Sequence, residues 1–407
     1  MARMIRIAID AMGGERGVKT TVPAVVKSLR RHRHVHALVF GDNEAINLAL
    51  SETKADDIRP RLKIIHCLEE ILDNDKPSTA VRSKLDSSMG RAVSAVVAGD
   101  AEACISSGNT GALVAMGLIQ LKTLPGISRP AICTTFPTVN GRTYVLDLGA
   151  NVNTSPHQLH QFAVLGSLMS QLVDGTNAPA LNLLNIGVED SKGGDQLNQT
   201  AKLLQADQSL NYCGFVEGDG IFNGQSDVVV CDGFSGNIAL KTSEGFARMI
   251  AAILENLMIR SWLARTVLGI MSRSFRDLKR HLDPSLYNGA YLLGLNGVVI
   301  KSHGSASSRG FGHALDGARQ LRRARIIRRF QCPLRLASGG GQSWTVVVWR
   351  SGKARERVRE RREGGIWRCM KRRSRKYEVD GYGDAPVSTK WEPAICPRRS
   401  RRHVSSD

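Results

Sequence analysis

Several short stretches carry residue types that could hold an anion beside a reactive carbonyl. In "IDAMGGERG", Asp10 ends an apolar run and the adjacent pair Gly13 and Gly14 follows, leaving backbone N–H groups to line an anion nest. In "SSGNTGA", Ser107, Asn109 and Thr110 supply donors beside two glycines at the start of a helical pattern. That composition suits a helix N-terminus meeting phosphate, or an N-cap that holds no ligand. "LDLGAN" sets Asp147 and Asn151 around a glycine turn, and "NIGVEDSKGG" places Glu189, Asp190 and Lys192 in a polar loop. "DGFSGNIALK" puts Ser235 and Asn237 at another helix start, and "VIKSHGSA" gathers Lys301, Ser302, His303 and Ser305. Lys192, Lys301 and the loop amides would neutralise an oxyanion, and Asn237 would donate to one. His303 is the best-placed acid or base by company, although a lone histidine beside glycine also serves as a structural donor.

Other chemistries lack their spacing. Gly13 and Gly14 are adjacent, so the first loop is not the G-x-G-x-x-G dinucleotide fingerprint, and no Gly-Lys-Ser/Thr makes it a P-loop. No G-x-S-x-G elbow is present and no nucleophilic triad can be read. The eight cysteines are scattered without a C-x-x-C pair, and His32, His34 and His36 have no cysteine or carboxylate beside them, so no metal is expected. The implied site binds phosphate and polarises a carbonyl without a covalent nucleophile, metal or resident cofactor.

The elements that must position these loops alternate strand and helix. "MIRIAID", "HALVFGD", "LKIIHC", "EACISSG", "AICTTFP", "TYVLDLG", "LNLLNIG", "YCGFVEG" and "DVVVCDG" read as strands. This predicts an α/β fold, doubly wound around a mainly parallel sheet. Glycine falls at or just past the end of many strands, the edge where open α/β sheets bind ligands, so the candidate loops are expected to share one crevice. Between residues 244 and 283 a longer helical pattern sets Met249, Ile253, Leu257, Met258 and Trp262 beside Arg248, Arg260 and Arg265. It predicts a protruding amphipathic helical hairpin that rests on an anionic membrane surface or packs in a dimer.

Composition divides the chain. The formal charge is +19, but residues 319–407 hold 25 Lys and Arg against 8 Asp and Glu, leaving 31 against 29 for residues 1–318. A near-neutral body argues against a nucleic-acid partner there. The tail has four of the five tryptophans and 21 Arg to 4 Lys, with neither strand alternation nor a helical apolar face. It is expected to be disordered, as an RNA-binding arm, a membrane tether or an out-of-frame continuation, the last being favoured. No segment has the roughly 18 uninterrupted apolar residues of a membrane span and no signal peptide opens the chain, so a cytoplasmic location is expected.

Taken in order, "DAMGG", "SSGNTGALVA", "RPAI", "LDLGAN", "NIGVEDSKGG", "VVVCDGFSGNIALK", "LDPSLYNGAYLLGLNGVVIKSHGSA" and "GFGHAL" resemble the bacterial phosphate acyltransferases that make acyl phosphate from acyl-acyl carrier protein. The resemblance runs from residue 10 to 315 and does not reach the tail. Glu15 stands where the family usually has Asp, and Gly220 interrupts a usually acidic stretch. The resemblance implies a fold similar to isocitrate dehydrogenase and phosphate acetyltransferase, a homodimer, and a peripheral position at the inner membrane face. It implies inorganic phosphate and acyl-acyl carrier protein as partners, the carrier bringing its own phosphopantetheine, with the product passing to a membrane glycerol-3-phosphate acyltransferase. Lys192, Asn237 and His303 then become the catalytic candidates. Asp10, Gly13, Gly14, Ser107, Asn109, Thr110, Asp147, Asn151 and Lys301 become substrate-binding ones, and Leu257, Trp262 and Arg265 membrane contacts. The alternatives are a short-chain enzyme using acyl-CoA, a nucleic-acid-binding protein acting through its tail, and an inactive membrane scaffold.

Overall fold

The computed structural model describes residues 4–189, 191–260, 288–323, 358–363, 366–371 and 392–393. Residues 1–330 and 331–407 form two separate compact units.

All nine expected strands are present in the first unit: β1 (Ile5–Asp10), β2 (Val35–Gly41), β3 (Leu62–His66), β4 (Ala103–Ser106), β5 (Ala131–Thr138), β6 (Gly141–Leu146), β7 (Ala180–Leu184), β8 (Asn211–Val216) and β9 (Val228–Val230). Two further strands, β10 (Ala290–Leu293) and β11 (Val298–Lys301), complete one sheet in the order β3-β2-β1-β4-β11-β10-β5-β6-β9-β7-β8. The last strands in sequence therefore occupy its middle. Each has only four residues, in a segment where glycine recurs every few positions, and neither shows the alternation that marks a half-buried strand.

The sheet is mainly parallel, but β10 runs antiparallel to both β11 and β5, and β5 antiparallel to β6. Hence β6, β9 and β7 run opposite to β1, β4 and β11. Ile9, Ile105, Ile300, Tyr291, Cys133, Leu146 and Val230 stand side by side in one row across seven strands. The row stands at the last or next-to-last residue of β1, β4, β11, β6 and β9, so the two oppositely directed sets of strands end on one line across the sheet. The candidate loops leave from that common line in opposite directions.

Helices cover the sheet: α1 (Val18–Arg31), α2 (Asn43–Glu52), α3 (Pro77–Ser83), α4 (Ser88–Val97), α5 (Thr110–Met116), α6 (Pro156–Val173), α7 (Asp195–Ala206), α8 (Gly233–Arg260) and α9 (Ser308–Arg323). Their starts are encoded locally. Ser87 caps α4, Asn109 caps α5, and Ser155 with Gln158 makes a capping box ahead of Pro156 at α6. Between the layers, Phe40, Met89, Leu113, Phe136, Val145, Leu148 and Leu295 belong to one buried apolar cluster.

Helix α8 begins at Gly233, well before residue 244, and so takes Asn237 onto its first turns. It covers the first part of the segment expected to make a hairpin. Leu257 lies within it, whereas Trp262, Arg265 and the rest of the hairpin fall outside the described residues. Among the described residues no helix is long and apolar enough to cross a membrane. In the second unit, β12 (Val358–Glu363), β13 (Ile366–Lys371) and β14 (Glu392–Pro393) pair antiparallel, where the sequence shows no strand periodicity.

Candidate active site

At the edge beyond β1, β4 and β11, three loops close on a buried carboxylate. Asp10 is fully buried and accepts Ser88 Oγ–H at 2.7 Å, Ser106 Oγ–H at 2.6 Å, and the Met12 and Gly13 amides at 3.3 Å each. Burial pushes its pKa up, and these four donors oppose the shift. The Gly13 amide is therefore spent on Asp10 and does not line an open anion nest. Both glycines are needed for close packing. A Cβ on Gly13 would stand 2.6 Å from Asp10 Oδ2 and from the Gly108 nitrogen, and one on Gly14, which sits at φ +86°, would stand 2.8 Å from Gly304 O and Ser107 Oγ. Ser107 Oγ donates to Gly13 O at 2.6 Å, and Glu15 N to Gly304 O at 3.0 Å.

Asn109 is likewise engaged. Its Oδ1 accepts the Ala112 amide at 3.0 Å, and its amide group faces the carbonyls of Leu72, Asp73 and Asp75. It caps α5 and ties down the 72–75 loop. Thr110 is the first residue of α5 and partly exposed.

The cations of this edge come from β11 and α8. Lys301 Nζ donates to Ser107 O at 3.2 Å and to Ser302 O. Burial lowers its pKa to about 8; Asp73 and Asp10 oppose that shift, and Lys241 adds to it. His303 follows, its backbone N–H held by Asn288 Oδ1 at 2.8 Å. The Ser305 amide can only donate, and it reaches His303 Nδ1 at 3.2 Å with Ser305 Oγ at 2.9 Å. Nε2 on the other side of the ring lies 3.2 Å from Lys241 Nζ and 3.6 Å from Glu244 Oε2. Glu244 also accepts from Lys241 Nζ at 3.0 Å. Burial raises the Glu244 pKa, but the contacts with His303 and Lys241 outweigh it and hold the value at about 2.

Just past the end of β6 a second buried aspartate knits β5, β6 and α8. Asp147 accepts the Ile132 amide at 2.8 Å, Ala150 at 3.1 Å, Asn151 at 2.6 Å, and Asn151 Nδ2 at 2.9 Å. Burial raises its pKa against those donors. Asn151 passes the contact on: Nδ2 also donates to Pro130 O at 2.8 Å, and Oδ1 accepts Arg129 Nε at 2.5 Å. The first turn of α8 presses on this knot so closely that a Cβ on Gly236 would meet the Asp147 carbonyl at 1.9 Å. Asn237 lies exposed over Gly149, and Asp232 accepts the Ser235 amide at 2.8 Å. Lys192 stands exposed in the loop after β7, its stem against Gly187.

The structure thus joins Asp10, Gly13, Gly14, Ser107, Lys301 and His303 in one wall, with Asn109 and Thr110 at its rim. Asp147 and Asn151 form a second knot just past β6, Asn237 lies on α8 one turn before Lys241, and Lys192 lies in the loop after β7. Sequence reasoning missed Ser88, Lys241 and Glu244. The last two were visible only as an i, i+3 pair following a helix start.

The fold has solved counterparts. A phosphotransacetylase from Streptococcus pyogenes matches over 81% of this chain and 95% of that one, with TM-score 0.53 and 18% identity. The EutD phosphotransacetylase from Staphylococcus aureus covers 79% and 94%, with TM-score 0.51 and 18% identity. Their shared architecture is the doubly wound α/β class. Sequence likeness is closer. A family described as "Fatty acid synthesis protein" matches residues 5–329. The phosphate acyltransferase of Alcanivorax borkumensis is 49% identical over 316 residues, 77% of this chain and 93% of the relative. That of Halorhodospira halophila is 46% identical over 318 residues, 78% and 92%. The chain belongs to this fatty acid synthesis protein family, and its chemistry is acyl transfer to phosphate in lipid synthesis.

Proposed function

We propose that the acyl donor is a fatty acyl thioester carried on acyl carrier protein, and that the acyl phosphate formed serves the acylation of glycerol 3-phosphate in phospholipid synthesis. The observation that carries the reading is the wall of cations and amides around Lys301 and His303, which contains no activated nucleophile. Burial pushes the Cys67, Cys104, Cys133 and Cys231 thiols up, so none of them supplies a thiolate. Phosphate itself then attacks. A phosphate oxygen forms the C–O bond, the C–S bond breaks, and the carrier's phosphopantetheine leaves as a thiolate. A thiolate leaves readily, so the protein's task is placement of two anionic partners and stabilisation of the tetrahedral oxyanion. No resident cofactor takes part.

The product is labile and lipidic, which favours release beside a membrane acyltransferase. Phe246, Met249 and Ile253 are exposed on α8 beside Arg248, a pattern fitting peripheral attachment to the cytoplasmic face or the contact of a homodimer. The deciding experiment compares acyl-carrier protein with acyl-CoA as donor, reading acyl phosphate directly. Preference for the carrier thioester is expected. Equal or better use of acyl-CoA overturns the donor assignment, and acyl phosphate from neither overturns the reading as a whole. Absence of sedimentation with anionic liposomes would remove the membrane part.

A further inference from the structure

Sheets of this class are covered on both faces, and an uncovered stretch leaves apolar side chains partly in water. Strands β1, β2 and β3 have such a stretch. Their register sets Arg6 beside His36, Leu38 beside Lys63, and Asp10 beside Phe40 and Ile65, so these residues share one face. Helix α4 covers the β1 side of that face, where Ala8 and Phe40 join Met89, Ala92 and Ala95 in the buried apolar cluster. Beyond it the face is open: Leu38 and Ile65 are only partly buried, and Lys63 is exposed. A groove of about 640 Å³ runs there between α4 and β3, and a second hollow of about 340 Å³ shares Arg6 and His36 with it near the strand starts.

We propose that this groove is the docking surface for the acyl carrier protein, which lays an amphipathic helix with acidic flanks across β2 and β3 beside α4. The proposal rests on the reading of a carrier thioester as the donor and adds where the carrier sits. Leu38, Phe40, Ile65, Ala95 and Ala98 give the groove an apolar floor and wall. It follows β2 from His36 to Phe40, four steps of about 3.3 Å or roughly 13 Å, which matches about two and a half turns of an α-helix.

The rim sets the sign of the partner. Arg6, Arg61, Lys63 and Arg91 line the groove against Asp86 and Asp100, and Glu102 in the second hollow is engaged by the Arg6 backbone amide. Arg61 donates to the carbonyls of Leu29 and His32, and Arg91 to that of His66. Asp57, the carboxylate near Arg61, is held by Arg30. Among the described residues no ion pair therefore neutralises Arg61, Lys63 or Arg91. An acidic helix complements them, whereas a second copy joined through the same groove about a two-fold axis would set cation against cation. The groove also ends at the candidate active site. Phe40 pairs with Asp10 across β2 and β1. Ser88 of α4 donates to Asp10, and Arg91, about 4.5 Å of helical rise further on, borders the groove. A carrier seated here sends its flexible arm past the start of α4 to the wall of Ser107, Lys301 and His303, and its own side chains need not touch that wall.

The test titrates the full chain into fluorescently labelled carrier protein that bears its phosphopantetheine arm and no acyl group, reading anisotropy. Lys63 and Ala98 are exposed, so both can be changed without disturbing the core. Lys63→Glu weakens binding about tenfold, and Ala98→Trp, which fills the groove, weakens it at least as much. Lys202→Glu, an equal change of charge on α7, stays within about twofold. In steady-state kinetics the two groove variants raise KM for the acyl-carrier donor about tenfold and leave KM for phosphate within about twofold. Binding that survives both groove variants, or that Lys202→Glu weakens equally, overturns the proposal. So does a change of oligomeric state in either groove variant, which would give the groove to a second copy of the chain. Acyl phosphate made from the carrier thioester without dependence on the groove removes the docking surface and keeps the donor assignment. Groove-dependent binding by a chain that makes no acyl phosphate from that thioester does the reverse.

Discussion

Asp10 and Asp147 are counterparts at the ends of two oppositely directed sets of strands: each ends or follows a central strand, each is fully buried, and each has its pKa raised by burial. Their donors differ. Asp147 is gripped by three backbone amides, which cannot turn away, and by Asn151. Asp10 takes its two shortest bonds from the hydroxyls of Ser88 and Ser106, which can rotate, and its amide contacts are long. The first arrangement locks strands to a helix. The second supports a wall that faces substrate, and that wall alone has lysine from two elements beside it.

The largest expected effect tests which loop does the chemistry. Lys301→Met should lower acyl phosphate formation by about a hundredfold or more, whereas Lys192→Ala should leave it within about threefold. The reverse order in a steady-state assay would move the chemistry to the loop after β7. Next comes the contrast in locking. Asp147→Asn should cost about 3 kcal/mol of stability, because its new NH2 group confronts fixed N–H donors. Asp10→Asn should cost about 1 kcal/mol, since the serine hydroxyls can turn to accept. Equal shifts in urea midpoint at unchanged m-value would break the comparison.

A smaller effect concerns pH. Lys301, facing Asp10, Asp73 and Lys241, is cationic below its pKa of about 8 and loses its proton above it. Phosphate binding is therefore expected to be intact below that value and to weaken as pH rises through it, while phosphate stays a dianion. A pH profile of KM for phosphate that is flat across this range would take Lys301 out of the binding step. The smallest effect is expected from Thr110→Ala at the rim, a change within about twofold in the same assay.

Much of this was legible in the sequence. Nine strands could be read from apolar runs, many with glycine at or just past their ends, and the caps of α4, α5 and α6 from Ser, Asn and Ser-Pro-x-Gln. Strand direction could not be read, because it depends on which strands pair. Without β10 and β11 nothing showed that the Asp10 and Asp147 loops leave in opposite directions. Gly13 and Gly14 looked like an anion nest because their spacing leaves amides free in principle. Only the fold brings Gly108 and Gly304 against them and turns Asp10 back onto the Gly13 amide. Lys241 and His303 are 62 residues apart, so no local pattern could join them.

The central place of β10 and β11 also bears on how the molecule is made. A chain leaving the ribosome N-terminus first can assemble β1 to β4 and β5 to β9, but β4 and β5 then each present an open edge to the gap that residues 290–301 will fill. Open edges invite pairing with other chains, so the interval before those residues emerge is the one most exposed to misassembly and most dependent on chaperones. The insertion that closes the gap is also what carries Lys301 to Ser107. A nascent chain short of that point has no cationic wall, and the enzyme becomes competent only when its sheet is complete.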